Sequence, residues 1–520
     1  MLINDIFFVS RMLIIPMKAL NPNRILLFFL LIFISGFVNA QKTEKIKILN
    51  SNSLEFSEKI GANVRRFLGN VIFEHNNTQM YCDSAYIFGG ENTIYAYSNV
   101  HVNQDDSLHM YGDYLEYNGN TYQGKVRNNV TLNDNQITLA TDSLNFNSQT
   151  NIVYYFNGGE ILNDSNTMES NLGYYYSKKD LFFFKDSVVL ITPDYKVETD
   201  TLKYNTKTEI SYFLGPTDIT NNDDYLYCEN GWYNTNEKKF QFNKNAFYKN
   251  KGKILKGDSL YYDKNNGLGK AFVNVELIDT TQNITLKGNY AKYVKEPESF
   301  FITDSAILIS VTNVTDSVFM HADTICSDYD SLNINKVIRA YNKVKIYKND
   351  IQSVCDSLVF TQEDSVIILY NNPVVWSGEN QVTADTMQIF TNDSKVDYIE
   401  LNGSPYIISQ EDTARYNQIK GKKMTVYVRD NQIYKVNVSG NGQTIYYTKD
   451  KNKIVGINKS ESSRLILYLK DKQIVRIVML QKPDGTLFPL GDLEETKLKG
   501  FKWLINNRPQ NKYDIFKWEK

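Results

Sequence analysis

The 520-residue chain is poor in the residues that build most active sites and covalent frameworks, with only 4 Cys, 4 His, 4 Trp and 10 Pro. Cys82, Cys228, Cys326 and Cys355 form no CxxC pair and lie too far apart for a zinc cluster or a dense disulfide framework, so most read as small buried hydrophobes. His75, His101, His109 and His321 match no metal-ligand spacing and read as exposed polar side chains. No metal and no other cofactor is expected. The chain also lacks a G-x-S-x-G elbow, a P-loop and a dinucleotide fingerprint, so no catalytic residue is nominated and the protein reads as non-enzymatic. With 27 Gly and few prolines it is neither collagen-like nor low-complexity. A net charge of −2 and a pI of about 6.2 supply no basic footprint, which argues against nucleic acid as a partner.

Long apolar runs are absent except near the start. Lys18 and Arg24 precede an apolar stretch at 25–37, followed by Val38-Asn39-Ala40 and Gln41, the order of a cleavable signal peptide spanning 1–40. The stretch is short for a bilayer span, which takes about 20 residues. Met17 is the more natural start, and a mature chain beginning at Gln41 carries no lipidated cysteine. Export as a soluble protein is the expectation.

What the chain does have is aromatic and β-branched residues. The 37 Tyr and 28 Phe favour pleated, half-buried surfaces, and 42% hydrophobic content is ample for a packed interior. A short pattern recurs about every 30 residues through about twelve copies: Asp or Asn, a small polar residue, an aliphatic, any residue, then an apolar one. Clear copies begin at Asp83, Asp113, Asp142, Asp200, Asp258 and Asp356, with degenerate ones at Asn171, Asn230, Asn289, Asp323, Asp385 and Lys422. Counting the Asp as zero, positions +2 and +4 are apolar in nearly every copy, the strand period. Position −3 is apolar too, and its odd offset from +2 predicts a bend or bulge at the Asp, whose carboxylate can bond local backbone N–H groups. Asn-Val corners alternate with these motifs, as in Gly69-Asn70-Val71, Ser98-Asn99-Val100, Asn128-Asn129-Val130 and Val273-Asn274-Val275. Each unit is expected to hold two to three short strands. Units that cannot bury their own inner face must stack, and twelve of them at two strand spacings each give a rod on the order of 100 Å long.

The chain thus divides into a signal peptide at 1–40, a lead-in at 41–64, β-repeats at 65–435 and a different C-terminal module at 436–520. In that module a hairpin turning at Asp471-Lys472, a turn at Pro483-Asp484-Gly485 and a short helix capped by Asp492 and Glu495 are expected. The fold class is all-β, an elongated repeat with a small α+β C-terminal cap acting as terminal cap or docking module.

The alternation of Asn-Val corners with D-S-L-x-Y motifs behind a signal peptide resembles the OstA/LptA family of lipopolysaccharide transport proteins, and the N-terminal periplasmic domain of LptD. The resemblance covers roughly 65–430, most clearly 65–205, 255–295 and 340–390. It implies a β-jelly-roll, an open V of mostly antiparallel strands whose apolar interior shields acyl chains. It also implies a periplasmic location in a Gram-negative envelope, in association with the outer membrane. Implied partners are lipopolysaccharide or lipid A, other transport components joined through edge strands, and further copies of the chain head to tail. On this resemblance the acyl-lining residues are Met80, Met110, Leu115, Tyr117, Leu144, Phe146, Leu202, Tyr204, Leu260, Tyr262, Leu358 and Phe360, with the six clear Asp residues as structural corners. The chain is much longer than a minimal LptA and lacks the residues for an outer-membrane barrel. Two other readings remain open: an envelope β-repeat protein with a solid core and no ligand, and a carbohydrate-active β-helix enzyme using the Asp ladder. Free exchange of Asp for Asn along that ladder suits a hydrogen-bond acceptor better than a titrating acid, and no glycine-rich calcium-binding repeat occurs.

Overall fold

The computed structural model describes residues 44–518, apart from 57–60, 62, 135–136, 164–165, 314–315, 330–335, 362, 393–394, 431, 452 and 471–472. The expected signal segment and the Asp471-Lys472 turn lie outside the described residues. What is described is one continuous antiparallel sheet of 36 strands, stacked along the chain into an elongated jelly-roll. Strands pair with their sequence neighbours: Val64–His75 with Thr78–Phe88, that with Thr93–Gln104, that with Leu108–Asn118, and so on toward the C-terminus. A parallel β-helix is therefore not the architecture.

Most units of about 30 residues contribute two long strands, in place of the two to three short ones expected, because their corners bend the strands without ending them. Around 152–176 and 366–429 the corners do divide the strands into shorter pieces. On Val64–His75, Leu68 faces Ser84 and Val71 faces Cys82, so Gly69 and Asn70 together oppose the single Asp83. Gly69 and Asn70 have φ of 75° and 46°, and the pairs Ser98/Asn99, Asn128/Asn129 and Val273/Asn274 repeat this left-handed conformation. Two successive residues with positive φ kink the strand without cutting its ladder, and Asn tolerates that region better than most side chains.

The kinks align from strand to strand, so the sheet folds along one crease into two walls. The front wall carries segments such as 71–75, 78–82, 100–104 and 108–112; the back wall carries 64–68, 84–88, 93–97 and 114–118. Phe67 and Phe73, on opposite sides of one kink, bring their rings to 6.0 Å across the fold. The kink also switches parity. Met80 and Cys82 point inward before Asp83, and Ala85 points inward after it, which is why −3 and +2 are both apolar.

Residues flanking the crease on the front wall alternate bulky and small across the strands: Val71 opposite Cys82, Val100 opposite Gly112, Val275 opposite Gly288, Val344 opposite Cys355. The close approach of the walls requires this. A Cβ on Gly112 would meet Val126 Cγ1 at 2.5 Å.

The C-terminal region departs from expectation. Gln432–Asp450 and Lys453–Lys470 extend the sheet, followed by Gln473–Leu480 and Asp484–Phe488 on the last edge. No reversal follows Leu480: Gln481 and Lys482, both with positive φ, form another crease kink, and Asp484-Gly485 opens a strand that continues along Lys453–Lys470 instead of making the turn. The helix expected after Asp492 does not form; among the described residues the remainder to 518 holds only 3-10 turns at Ile505–Asn507 and Asp514–Phe516. This tail runs as a strap back over the outer face of the front wall. Gln418 donates to the Thr496 carbonyl (2.8 Å) and accepts from the Leu498 N–H (2.9 Å); Gln381 does the same for Lys502 (2.7 Å) and Leu504 (2.6 Å). Arg508 Nε donates to Gln352 (2.7 Å). Glutamines placed about one repeat apart take up backbone groups that a helix would have paired internally. The tail also covers Tyr406, Ile408 and Trp376, and this burial outweighs a local capping signal.

Candidate functional site

The interior between the walls is the one feature that runs the length of the molecule, and the nominated acyl-lining residues all face it. Met80, Met110, Leu115, Tyr117, Leu144, Phe146 and Leu202 are at most 2% exposed, while Leu260 and Leu358 are nearly as buried. Tyr204 and Phe360 are half-buried against the same core, and Tyr262 is half-buried with its ring 5.8 Å from that of Phe240. The first group forms no channel. Tyr117 stacks on Phe146 at 6.0 Å, and a Cβ on Gly124 would lie 2.1 Å from the Phe146 ring. In the N-terminal part the interior is a solid core.

A polar seam closes the mouth of the V there. His75, at a front-wall tip, holds the hydroxyl of Tyr117, at a back-wall tip, at 2.7 Å from Nδ1. Its Nε2 lies 3.0 Å from the Glu44 carbonyl, which can only accept, so Nε2 carries a proton and Nδ1 accepts from Tyr117 in the neutral ring. Ser148 Oγ lies 3.0 Å from the Tyr117 hydroxyl, and Gln104 donates to the Ser148 carbonyl at 3.0 Å. Burial pushes the Tyr117 phenol up to about 12, so it stays a neutral donor. Farther along, the hydroxyls of Tyr195 and Tyr233 meet across the mouth at 3.0 Å.

Beyond that contact the interior opens. Between residues 224 and 311 the apex stays buried, with Phe242, Ala246, Ala271, Val275, Ile302 and Ala306 at 3% exposure or less. The inward residues nearer the wall tips do not. Leu226, Tyr248, Leu255, Leu286 and Leu308 on the front wall, and Tyr233, Phe240, Tyr262, Tyr293 and Phe300 on the back wall, are all only half-buried. The result is an apolar trough with an aromatic rim, accessible from the side.

Sequence reasoning ranked this stretch no higher than the rest, partly through a register error. Glu229, not Asn230, occupies the corner position, because Asn245 donates to Glu229 at 2.8 Å. With the register moved by one, Leu226 and Tyr233 fall on the inward positions −3 and +4.

The nominated corner carboxylates sit on the outer surface of the crease. Asp83 accepts from Asn99 (2.7 Å), Asp113 from Asn129 (2.7 Å), Asp258 from Asn274 (3.3 Å) and Asp356 from Asn371 (3.0 Å). The donor is thus a side-chain amide of the next strand's kink, not a local backbone N–H. Asp200 instead accepts from its neighbour Thr201 (2.8 Å) beside Gly215, and Asp142 is exposed. The Ser357 hydroxyl and the Asn371 amide hold the Asp356 carboxyl below its ordinary value.

None of the four histidines is exposed as expected: His101 and His109 are half-buried, and the other two are interred. His75 is buried in the seam, and His321 is buried with Nδ1 2.8 Å from the Ala306 carbonyl and its ring 4.8 Å from Phe516 of the strap. A side chain able to donate and accept can be interred where wall tips or strap supply both partners, which local sequence does not reveal. Cys82, Cys228 and Cys355 are free and buried beside the crease, and burial pushes each thiol up to about 12. Among the described residues no three His, Cys, Asp or Glu side chains gather to hold a metal ion, and no helix is long and apolar enough to cross a membrane.

Comparison with known proteins adds one finding. Residues 43–200 and 197–258 match the family model of OstA-like proteins, so the closed core and the first part of the open trough lie in OstA-like sequence. The bent-strand pattern continues unbroken past residue 258. No curated protein matches the chain.

Proposed function

We propose, from the OstA-like character of residues 43–258, that this protein is a periplasmic lipopolysaccharide-binding bridge or chaperone in outer-membrane assembly. It is a carrier, not an enzyme. The observation that carries this reading is the half-exposed apolar trough between 224 and 311, continuous with a fully packed interior on its N-terminal side. Hiding acyl chains from water is worth about 0.8 kcal/mol per methylene, so several chains demand continuous apolar cover during an aqueous crossing. An aromatic rim suits the boundary between acyl chains and a polar headgroup, since Tyr offers an apolar ring and a polar tip.

The ends support assembly. The N-terminal edge strands Lys47–Asn50 and Ser53–Phe56 leave Ile48, Leu54 and Phe56 exposed, and the C-terminal edge leaves Val475 and Leu487 exposed. Unpaired edges with apolar side chains are templates for strand addition. We assign them to junctions with other lipopolysaccharide-transport components, or with further copies of this chain head to tail.

The test is mass spectrometry of lipid extracted from natively purified mature protein, joined to photo-crosslinking from Tyr248 and from Leu144. Lipid A captured at Tyr248 and not at Leu144 is the expected result. No lipid at either position would leave the second reading, a ligand-free envelope scaffold, which the solid N-terminal core favours.

A further inference from the structure

Among the described residues, the outer face of the front wall is covered by the strap in its C-terminal half and uncovered in its N-terminal half, and two of the chain's four histidines meet on the uncovered part. His101 and His109 lie on the paired strands Thr93–Gln104 and Leu108–Asn118, diagonal to each other across the ladder, where His101 faces Tyr111 and Asn103 faces His109. Their inward neighbours Val102 and Met110 are fully buried, which fixes both imidazoles on the outside. His101 Nε2 and His109 Nδ1 approach to 3.1 Å.

We propose that His101 and His109, with the amide oxygen of Asn103, form a binding site for a borderline divalent transition metal such as Zn²⁺ or Cu²⁺. The separation of 3.1 Å is a metal bite. Two nitrogens bound at about 2.0–2.1 Å lie about 3.3 Å apart at a tetrahedral angle and about 2.9 Å apart at a right angle. An independent observation points to the same place: Asn103 Oδ1 is buried without any hydrogen-bond partner, while its Nδ2 is committed to Asp106 at 2.8 Å. That donation orients the amide and leaves its oxygen as the free donor atom beside His109.

The rings are held in place before any ion arrives. His101 stacks between Tyr81, at 5.2 Å, and Tyr111, at 4.5 Å. Binding requires only a tautomer shift that leaves the ring protons on His101 Nδ1 and His109 Nε2 while the facing nitrogens both ligate. Two imidazoles and a carbonyl oxygen suit Zn²⁺ and Cu²⁺ better than Mg²⁺ or Ca²⁺, and water completes the shell on the exposed side.

The test uses the mature chain without a polyhistidine tag, titrated with Zn²⁺ against a chromophoric chelator and with Cu²⁺ under electron paramagnetic resonance. One equivalent of each metal and a two-nitrogen copper signal are expected. His101→Ala and His109→Ala should each weaken Zn²⁺ binding by about tenfold or more, and Asn103→Ala by less. Thermal melts confirm that these surface variants fold, and the wild-type titration decides the matter without them. Sub-stoichiometric binding by the wild type, or full binding by both histidine variants, would overturn the assignment.

Discussion

Phe146→Ala separates a solid N-terminal core from a lipid groove. The ring is 2% exposed, stacks on Tyr117 and fills the space that the missing side chain of Gly124 leaves open. Walls joined by continuous ladders on both sides cannot collapse freely into the hole. The loss should therefore fall in the range for buried Phe→Ala, about 3–5 kcal/mol. In a stacked array each unit leans mainly on its neighbours, so the loss is local and a single melting temperature under-reports it. Hydrogen exchange read by mass spectrometry on peptides covering 123–147 is the suitable assay. Faster exchange there should appear together with unchanged lipid capture from Tyr248. A loss below about 1 kcal/mol would refute the solid core. Normal protection with lost lipid capture would place the groove in the N-terminal part instead.

The other predictions concern the crease, the strap and acid stability. Asn129→Ala removes the bond to Asp113 and places Ala at a φ of 52°, so it should cost about 1–2 kcal/mol, and Asn129→Gly distinctly less, by urea denaturation. Gly112→Val should destabilise by about 1–3 kcal/mol or more in the same assay, because its Cβ alone would meet Val126 at 2.5 Å. Gln381→Ala removes both strap bonds at Lys502 and Leu504, and limited proteolysis should then cleave the 489–518 segment faster than in the wild type. Asp356 has a folded-state value depressed by Ser357 and Asn371. Its contribution is present above the unfolded carboxylate value of about 3.9 and is lost as pH falls through the lower folded value, so Asp356→Asn should flatten the acid limb of stability against pH.

Much of the architecture was written in local pattern. The parity switch around each Asp could come only from a bent strand, and Asn at the alternate corners supplied a residue that tolerates the left-handed backbone. The place where that reading slipped, Asn230 for Glu229, is a copy whose acceptor changed residue type. A motif defined by Asp or Asn cannot see that Glu reaches the same amide on Asn245. The C-terminal helix failed for another reason. Asp492 and Glu495 form a sound capping signal, but the backbone groups after them pair with glutamines about 80 to 120 residues away, which no local window contains.

By itself the sequence determined the all-β character, the repeat of about 30 residues, the bend at each corner and the inward-facing set. All of these follow from periodicities of 2 and 30, which a linear pattern records directly. Only the tertiary structure decided where that inward set is sealed and where it is open. The same kind of apolar residue is solid core at Leu144 and trough rim at Leu286, because exposure depends on the distance between two walls. That distance is set by contacts such as His75 with Tyr117, which join strand tips 42 residues apart. The strap and the facing nitrogens of His101 and His109 belong with it: each depends on which side chains adjacent strands bring face to face, a relation that registers only once the sheet has folded.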